Sequence, residues 1–265
     1  MEWPRSVGPF TLGLNLLRHT LSFFTTEQGM TSMALPRPAS PNLHVYSQHA
    51  LIAHKLAWLR DRRTQPAQFG QLLKEISLML LAYATANLPS REVPVITPVG
   101  ATVQRVLAKR VGFAPILRAG AGMIPAAHEL VPGAPIWYLG LYRDEETLQP
   151  VRYYDKLQGY PPVDIALILD PMLATGGSAA VAATRLKEKG VETVTFVGLI
   201  AAPEGVALLT REHPDVEIHV ADVDERLNER GYIVPGLGDA GDRQNATGAN
   251  DPTDDPFIPE PEAVR

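Results

Sequence analysis

The chain has 265 residues, 45% of them apolar and 20% charged, with a formal charge of −5. That is ordinary for a globular protein, allows one large domain or two small ones, and contains no long basic run that would mark a nucleic-acid footprint or a membrane-binding patch. Cysteine is absent, which excludes disulfides, a thiol nucleophile and thiolate metal sites.

Residues 1–43 lack sustained periodicity and end in Pro36-Arg-Pro-Ala-Ser-Pro41. They read as a flexible extension, or as an overextended translation start with Met30 and Met33 as alternatives. The apolar stretch Phe10–Phe24 is interrupted by Arg18-His19, and the uninterrupted piece is too short to span a bilayer. No clear small-x-small cleavage site follows, so a cytoplasmic protein without a membrane segment is expected.

From His44 the pattern is regular. Ile52, Leu56 and Leu59 share one face at helical spacing. Phe69, Leu72, Leu73, Ile76, Leu80 and Tyr83 form the apolar stripe of a longer helix over Pro66–Ala86, which Pro89-Ser90 ends. Val93–Val99 and Ala101–Val106, around Pro98-Val-Gly100, suggest an extended ribbon. Strands and helices then alternate. Strands are expected at Val111–Leu117, Pro135–Leu141, Ile165–Leu169, Thr193–Ala201 and Val216–Ala221, and helices at Gly122–Leu130, Ala179–Lys189 and Pro203–Glu212. This order predicts an α/β fold, a mainly parallel twisted sheet with helices on both faces. The domain is expected over 44–243. Gln244–Arg265 carries four prolines and five acids among few apolar residues, and reads as a disordered tail over 244–265.

The most informative stretch is Asp170–Ser178, Asp-Pro-Met-Leu-Ala-Thr-Gly-Gly-Ser. It follows Ile165–Leu169, whose unbroken apolar character suits a strand buried on both faces. In an open α/β sheet, ligands bind beyond the carboxyl ends of the strands. Glycines there let backbone approach a ligand, and the free N–H groups of the next helix attract an anion. Thr175 and Ser178 add hydroxyl donors, and Asp170 suits sugar hydroxyls or metal-bound water. Taken alone, the short glycine pattern favours a plain strand–helix turn with Ser178 as N-cap. It is not a P-loop, because no Lys follows the glycines.

The whole nonapeptide resembles the ribose-phosphate loop of the type I phosphoribosyltransferases, in the variant carried by their uracil branch. Most of that superfamily has a second acid where this chain has Pro171, as the uracil branch does. Four further segments match in the family's order: Pro115-Ile-Leu-Arg-Ala-Gly120, Gly140-Leu-Tyr-Arg-Asp-Glu-Glu-Thr147, Ala201-Ala-Pro-Glu-Gly205 and Gly231-Tyr-Ile-Val-Pro-Gly-Leu-Gly-Asp-Ala-Gly-Asp242. The likeness runs from about His49 to Arg243. The chain departs at Ala121, where the family commonly has Leu.

The resemblance implies that 5-phosphoribosyl 1-diphosphate (PRPP) is held by Arg118, Arg143, Asp170, Pro171, Met172, Leu173, Ala174, Thr175, Gly176, Gly177, Ser178 and Asp239. It implies uracil contacts, largely through backbone, from Ile233, Gly238, Asp239 and Ala240. Arg118, Arg143, Asp170 and Asp239 are the implied catalytic residues. Guanidinium suits this role because it binds phosphate oxygens in bidentate fashion. Mg²⁺ is implied as a cofactor carried mainly by PRPP and water, with no dedicated protein metal site. The acidic group Asp144, Glu145 and Glu146 reads as a solvated loop, and His49 and His54, five apart, miss the spacing of a helical zinc pair. The implied reaction is uracil + PRPP → UMP + diphosphate. A homodimer or higher oligomer, and GTP as an effector, occur in relatives. A phosphoribosyltransferase for another base, and a PRPP- or UMP-sensing RNA-binding regulator, stay open as alternatives.

Overall fold

A computed structural model of the chain describes residues 41–143, 150–155 and 163–247, without the side chains of 142–143, 150–153 and 155. Of the extension read over 1–43 and the tail read over 244–265, residues 1–40 and 248–265 lie outside the described residues, as does the acidic group at 144–146. In chain order the elements are β1 (Leu43–Val45), α1 (Ala50–Arg60), α2 (Pro66–Ala84), β2 (Ser90–Ile96), β3 (Ala101–Leu107), β4 (Val111–Leu117), a 3₁₀ turn (Ala119–Met123), α3 (Ile124–Leu130), β5 (Leu139–Arg143), β6 (Pro150–Asp155), β7 (Ile165–Leu169), β8 (Met172–Leu173), α4 (Gly177–Glu188), β9 (Thr193–Ala201), α5 (Pro203–Glu212), β10 (Glu217–Val223), β11 (Arg226–Leu227), β12 (Ile233–Val234) and α6 (Ala240–Asn245).

The main sheet runs β1-β10-β9-β7-β4-β5-β6, with β8 paired to β9. Its ladders are parallel except for β5–β6, which is antiparallel. Every residue of β7 is buried, as are all of β9 but its first. Strand periodicity divides their side chains between two cores. Ile165, Leu167 and Leu169 join Phe69, Leu73, Ile76 and Leu80 of α2 on one face. Ala166 and Ile168 join Ala182, Ala183 and Leu186 of α4, with Val206 and Leu209 of α5, on the other. Each large side chain fully buried in this way contributes about 1.5–3 kcal/mol.

The expected α/β architecture is what the chain adopts, with local differences. The helix expected from Gly122 is a 3₁₀ turn as far as Met123. Only then does α3 begin, with Pro125 in its first turn, where a missing N–H costs nothing. The strand expected at Pro135–Leu141 begins at Leu139, because earlier residues make only an isolated bridge, Phe113 to Ile136. Helix α2 stops at Ala84, and Tyr83, expected in its buried stripe, is 40% exposed, stacking on Tyr46 at 4.4 Å. Strands β1 and β6 carry no long apolar pattern of their own and come from pairing with their neighbours.

From β4 the chain winds outward to β5 and β6, then returns to β7 on the opposite side of β4 and continues to β9 and β10. The strand order therefore reverses between β4 and β7. In doubly wound sheets the crevice beyond the carboxyl ends of the strands at such a reversal is where ligands bind.

Candidate active site

Arg118 follows the last residue of β4, and Asp170 follows the last residue of β7. The two strands are hydrogen-bonded neighbours, with Pro115 opposite Leu169, so the basic and acidic groups emerge side by side at the reversal. Both line a cleft of about 390 Å³, together with Met172–Gly176, Ser178, Tyr232, Ile233 and Asp239. Glycines bring the walls together. A Cβ on Gly120 would collide with the Leu169 carbonyl oxygen, and one on Gly198 would stand 2.6 Å from the Asp170 carbonyl oxygen. The end of β7 is thus gripped from both neighbouring segments.

The loop after Asp170 is held against the sheet. The amides of Leu199 and Ile200 donate to the Pro171 carbonyl at 2.9 and 3.0 Å, and the Ala202 amide donates to the Leu173 carbonyl at 2.9 Å. Pro171 is therefore engaged with β9 and does not line the cleft. Gly176 is the N-cap of α4 at φ +84°, a left-handed conformation that favours glycine. Its missing side chain matters twice, since a Cβ there would lie 2.7 Å from the Gly205 carbonyl oxygen. Gly176 makes no side-chain cap, so the first amides of α4 are open to an anion. Ser178 lies inside the helix, which excludes the plain N-cap reading of that serine.

Asp170 accepts a hydrogen bond from the Met172 amide at 3.3 Å. Burial nonetheless pushes its carboxyl up to about 7; the Met172 bond opposes this, and the nearby Asp239 carboxylate adds to it. Asp239 is the N-cap of α6, accepting from the Asp242 amide at 2.9 Å. Arg118 reaches across to this helix. Its Nη2 donates to Asp242 Oδ1 at 2.7 Å and its Nη1 to Thr247 Oγ1 at 3.3 Å. The guanidinium is 58% exposed, so it can exchange these partners for a ligand at little cost.

The glycine-rich loop is pinned from outside the cleft by residues that the sequence reading did not single out. Arg60, at the end of α1, forms a two-pronged pair with buried Asp224, at 2.8 and 2.5 Å, and donates to the Gly236 carbonyl at 2.7 Å. Asp224 in turn accepts from the Gly236 amide at 2.9 Å. Arg243 donates to the carbonyls of Leu59, Asp61 and Leu237 at 2.6–2.8 Å and stacks on the Phe69 ring at 4.5 Å. Gly236 sits at φ +70°, and Ile233, Gly238 and Ala240 follow the course these anchors set. Ile233 lines the cleft; Gly238 and Ala240 do not. Gly177 opens α4. Arg143 ends β5, beside β4; its side chain lies outside the description.

Among the described residues, no cluster of three metal-binding side chains occurs in the cleft. Asp170 and Asp239 are hard oxygen donors whose charges oppose each other, a pair that suits Mg²⁺ bound chiefly through other oxygens. No helix among the described residues is long and apolar enough to cross a membrane.

The uracil phosphoribosyltransferase family model matches residues 46–247. A uracil phosphoribosyltransferase of Roseiflexus sp. (strain RS-1) is 55% identical over 202 residues, covering 76% of this chain and 97% of that protein. One from Clostridium perfringens is 52% identical over 200 residues, covering 74% and 94%. The structure of the AQ2163 protein from Aquifex aeolicus is similar with a TM-score of 0.74 and 40% identity, covering 78% of this chain and 100% of that one. The chain belongs to the uracil phosphoribosyltransferase family.

Proposed function

We propose that the chain transfers the 5-phosphoribosyl group of PRPP to N1 of uracil, giving UMP and diphosphate in pyrimidine salvage. The observation that carries the reading is the reversal of strand order between β4 and β7. It brings Arg118, Asp170, the uncapped start of α4 and the Ile233–Asp239 loop around one cleft.

Breaking the bond at the anomeric carbon leaves positive charge on the ribose and negative charge on the departing diphosphate. Arg118 stabilises the latter, with Arg143 as its partner from the adjacent strand. Thr175, Ser178 and the first amides of α4 take the 5′-phosphate, and this remote binding energy holds the anomeric carbon against the base. Asp170 orients ribose hydroxyls, and Asp239 joins the sugar site to the base loop. Backbone groups of that loop meet the alternating acceptors and donor on the edge of uracil. Asp170 and Asp239 would be the protein groups nearest to Mg²⁺ carried mainly by PRPP and water, which would supply charge neutralisation. A homo-oligomer belongs to the reading, supported by the β2–β3 ribbon, where Ile96, Val99 and Val103 are 88%, 98% and 61% exposed.

The test is a UMP-formation assay with uracil, PRPP and Mg²⁺, with cytosine, hypoxanthine and orotate as competing bases. Turnover with uracil alone supports the reading. Turnover of another base in its place, or RNA binding at physiological salt without any turnover, overturns it.

A further inference from the structure

A second constellation stands at the other end of the sheet. His44 on β1 and His219 on β10 are partners across a parallel ladder. Glu217 lies two residues before His219 and so on the same face. One nitrogen of each histidine and one Glu217 carboxylate oxygen all fall within 4.8 Å of one another. These residues sit near the amino-terminal end of β10, whereas the cleft lies beyond the carboxyl ends, and none of them lines it.

We propose that His44, Glu217 and His219 form a binding site for a divalent transition-metal ion of the Zn²⁺ type. Two imidazoles and a carboxylate make a borderline-soft donor set that favours Zn²⁺ over Mg²⁺, which prefers an octahedron of oxygens. Glu217 is 56% exposed, so solvent can supply the fourth ligand.

Tyr46 prepares the site. Its hydroxyl is 2.8 Å from His219 Nδ1. When Nδ1–H donates to that oxygen, Nε2 turns its lone pair toward Glu217 Oε2, 3.4 Å away. Two ligand atoms about 2.0–2.1 Å from a tetrahedral ion are separated by roughly 3.3 Å, so this pair is already spaced to share one. A metal-bound histidine characteristically has its other ring nitrogen engaged by an outer oxygen, as Tyr46 provides. His44 completes the set. Its ring stacks on His219 with centroids 4.4 Å apart and planes 20° apart, and it is half-buried on the three-residue edge strand. An ion held there would clamp β1 to β10.

The experiment titrates the full chain with Co²⁺, in the presence of Mg²⁺ and without PRPP, and reads the visible absorption. A four-coordinate nitrogen–oxygen site absorbs strongly, whereas an all-oxygen octahedral site in the cleft absorbs weakly. The expected result is one saturable, strongly absorbing Co²⁺ per chain that Zn²⁺ displaces. His44→Gln should weaken it by at least ~10-fold and Tyr46→Phe by about 10-fold, while UMP formation by His44→Gln stays at the wild-type rate. Absence of strong absorption in the wild-type chain overturns the proposal, as does equal Co²⁺ binding by wild type and His44→Gln, which would leave the imidazoles as a packing pair only.

Discussion

Replacing Asp170 with asparagine removes a carboxylate whose charged form the fold disfavours. Burial, opposed by the Met172 amide and reinforced by Asp239, pushes this group up to about 7, against a usual value of 3.8. Between those two values the folded state holds a proton that the unfolded chain has released. The stability contributed by Asp170 is therefore fully present below 3.8 and is lost as pH rises through about 7. At 1.36 kcal/mol per pH unit the full loss is about 4 kcal/mol. The side chain still borders an open cleft, where water screens its charge, and about half of that figure, ~2 kcal/mol, is the expected effect. Asparagine keeps the size and, through its Oδ1, the acceptor for the Met172 amide. Urea unfolding without PRPP or Mg²⁺ should find Asp170→Asn equal to wild type near pH 4 and more stable by about 2 kcal/mol at pH 8. UMP formation should fall at least ~10-fold in the same variant, a loss of about 1.4 kcal/mol of transition-state stabilisation. A stability difference that does not change between the two pH values would refute the electrostatic argument, as would a variant less stable than wild type at pH 8.

Arg118→Ala should lower PRPP-dependent turnover at least ~10-fold, while the thermal melt moves little, because the guanidinium is mostly exposed and its protein partners are surface groups. Near-normal turnover in the purified, folded variant counts against its role. Asp239→Ala should abolish activity and, by removing the N-cap of α6, lower stability by about 1 kcal/mol in chemical denaturation; unchanged steady-state kinetics would sink the assignment of its loop. Arg60→Met leaves buried Asp224 without its charged partner and should destabilise the fold by about 3 kcal/mol, with a raised KM for uracil because Gly236 loses its anchor. An unaltered melt and KM would show that the pair does not hold the loop.

Which of these residues could be read from the chain alone follows from how each one is placed. Asp170, Thr175, Gly176 and Ser178 are set by local rules: a five-residue apolar strand, an acid at its end, and a turn that needs a left-handed glycine before a helix. Arg118 obeys the same rule at the end of β4. All of these were legible, and so was the helix α2, whose stripe from Phe69 to Leu80 faces the sheet. Arg60, Asp224 and Arg243 follow no local rule. Arg60 and Asp224 are 164 positions apart, and each taken singly has the sequence character of a surface charge. Their meeting depends on α1 crossing the end of β10, a consequence of sheet order that no spacing encodes. The same holds for Arg118 and Asp242, 124 positions apart, whose pairing links the end of β4 to the helix capped by Asp239. Groups that meet a ligand must sit at strand ends and helix starts, where short-range patterns betray them. Groups that hold those positions still are drawn from wherever the fold brings a charge within reach, so the scaffold of this site became visible only once the strand order was known.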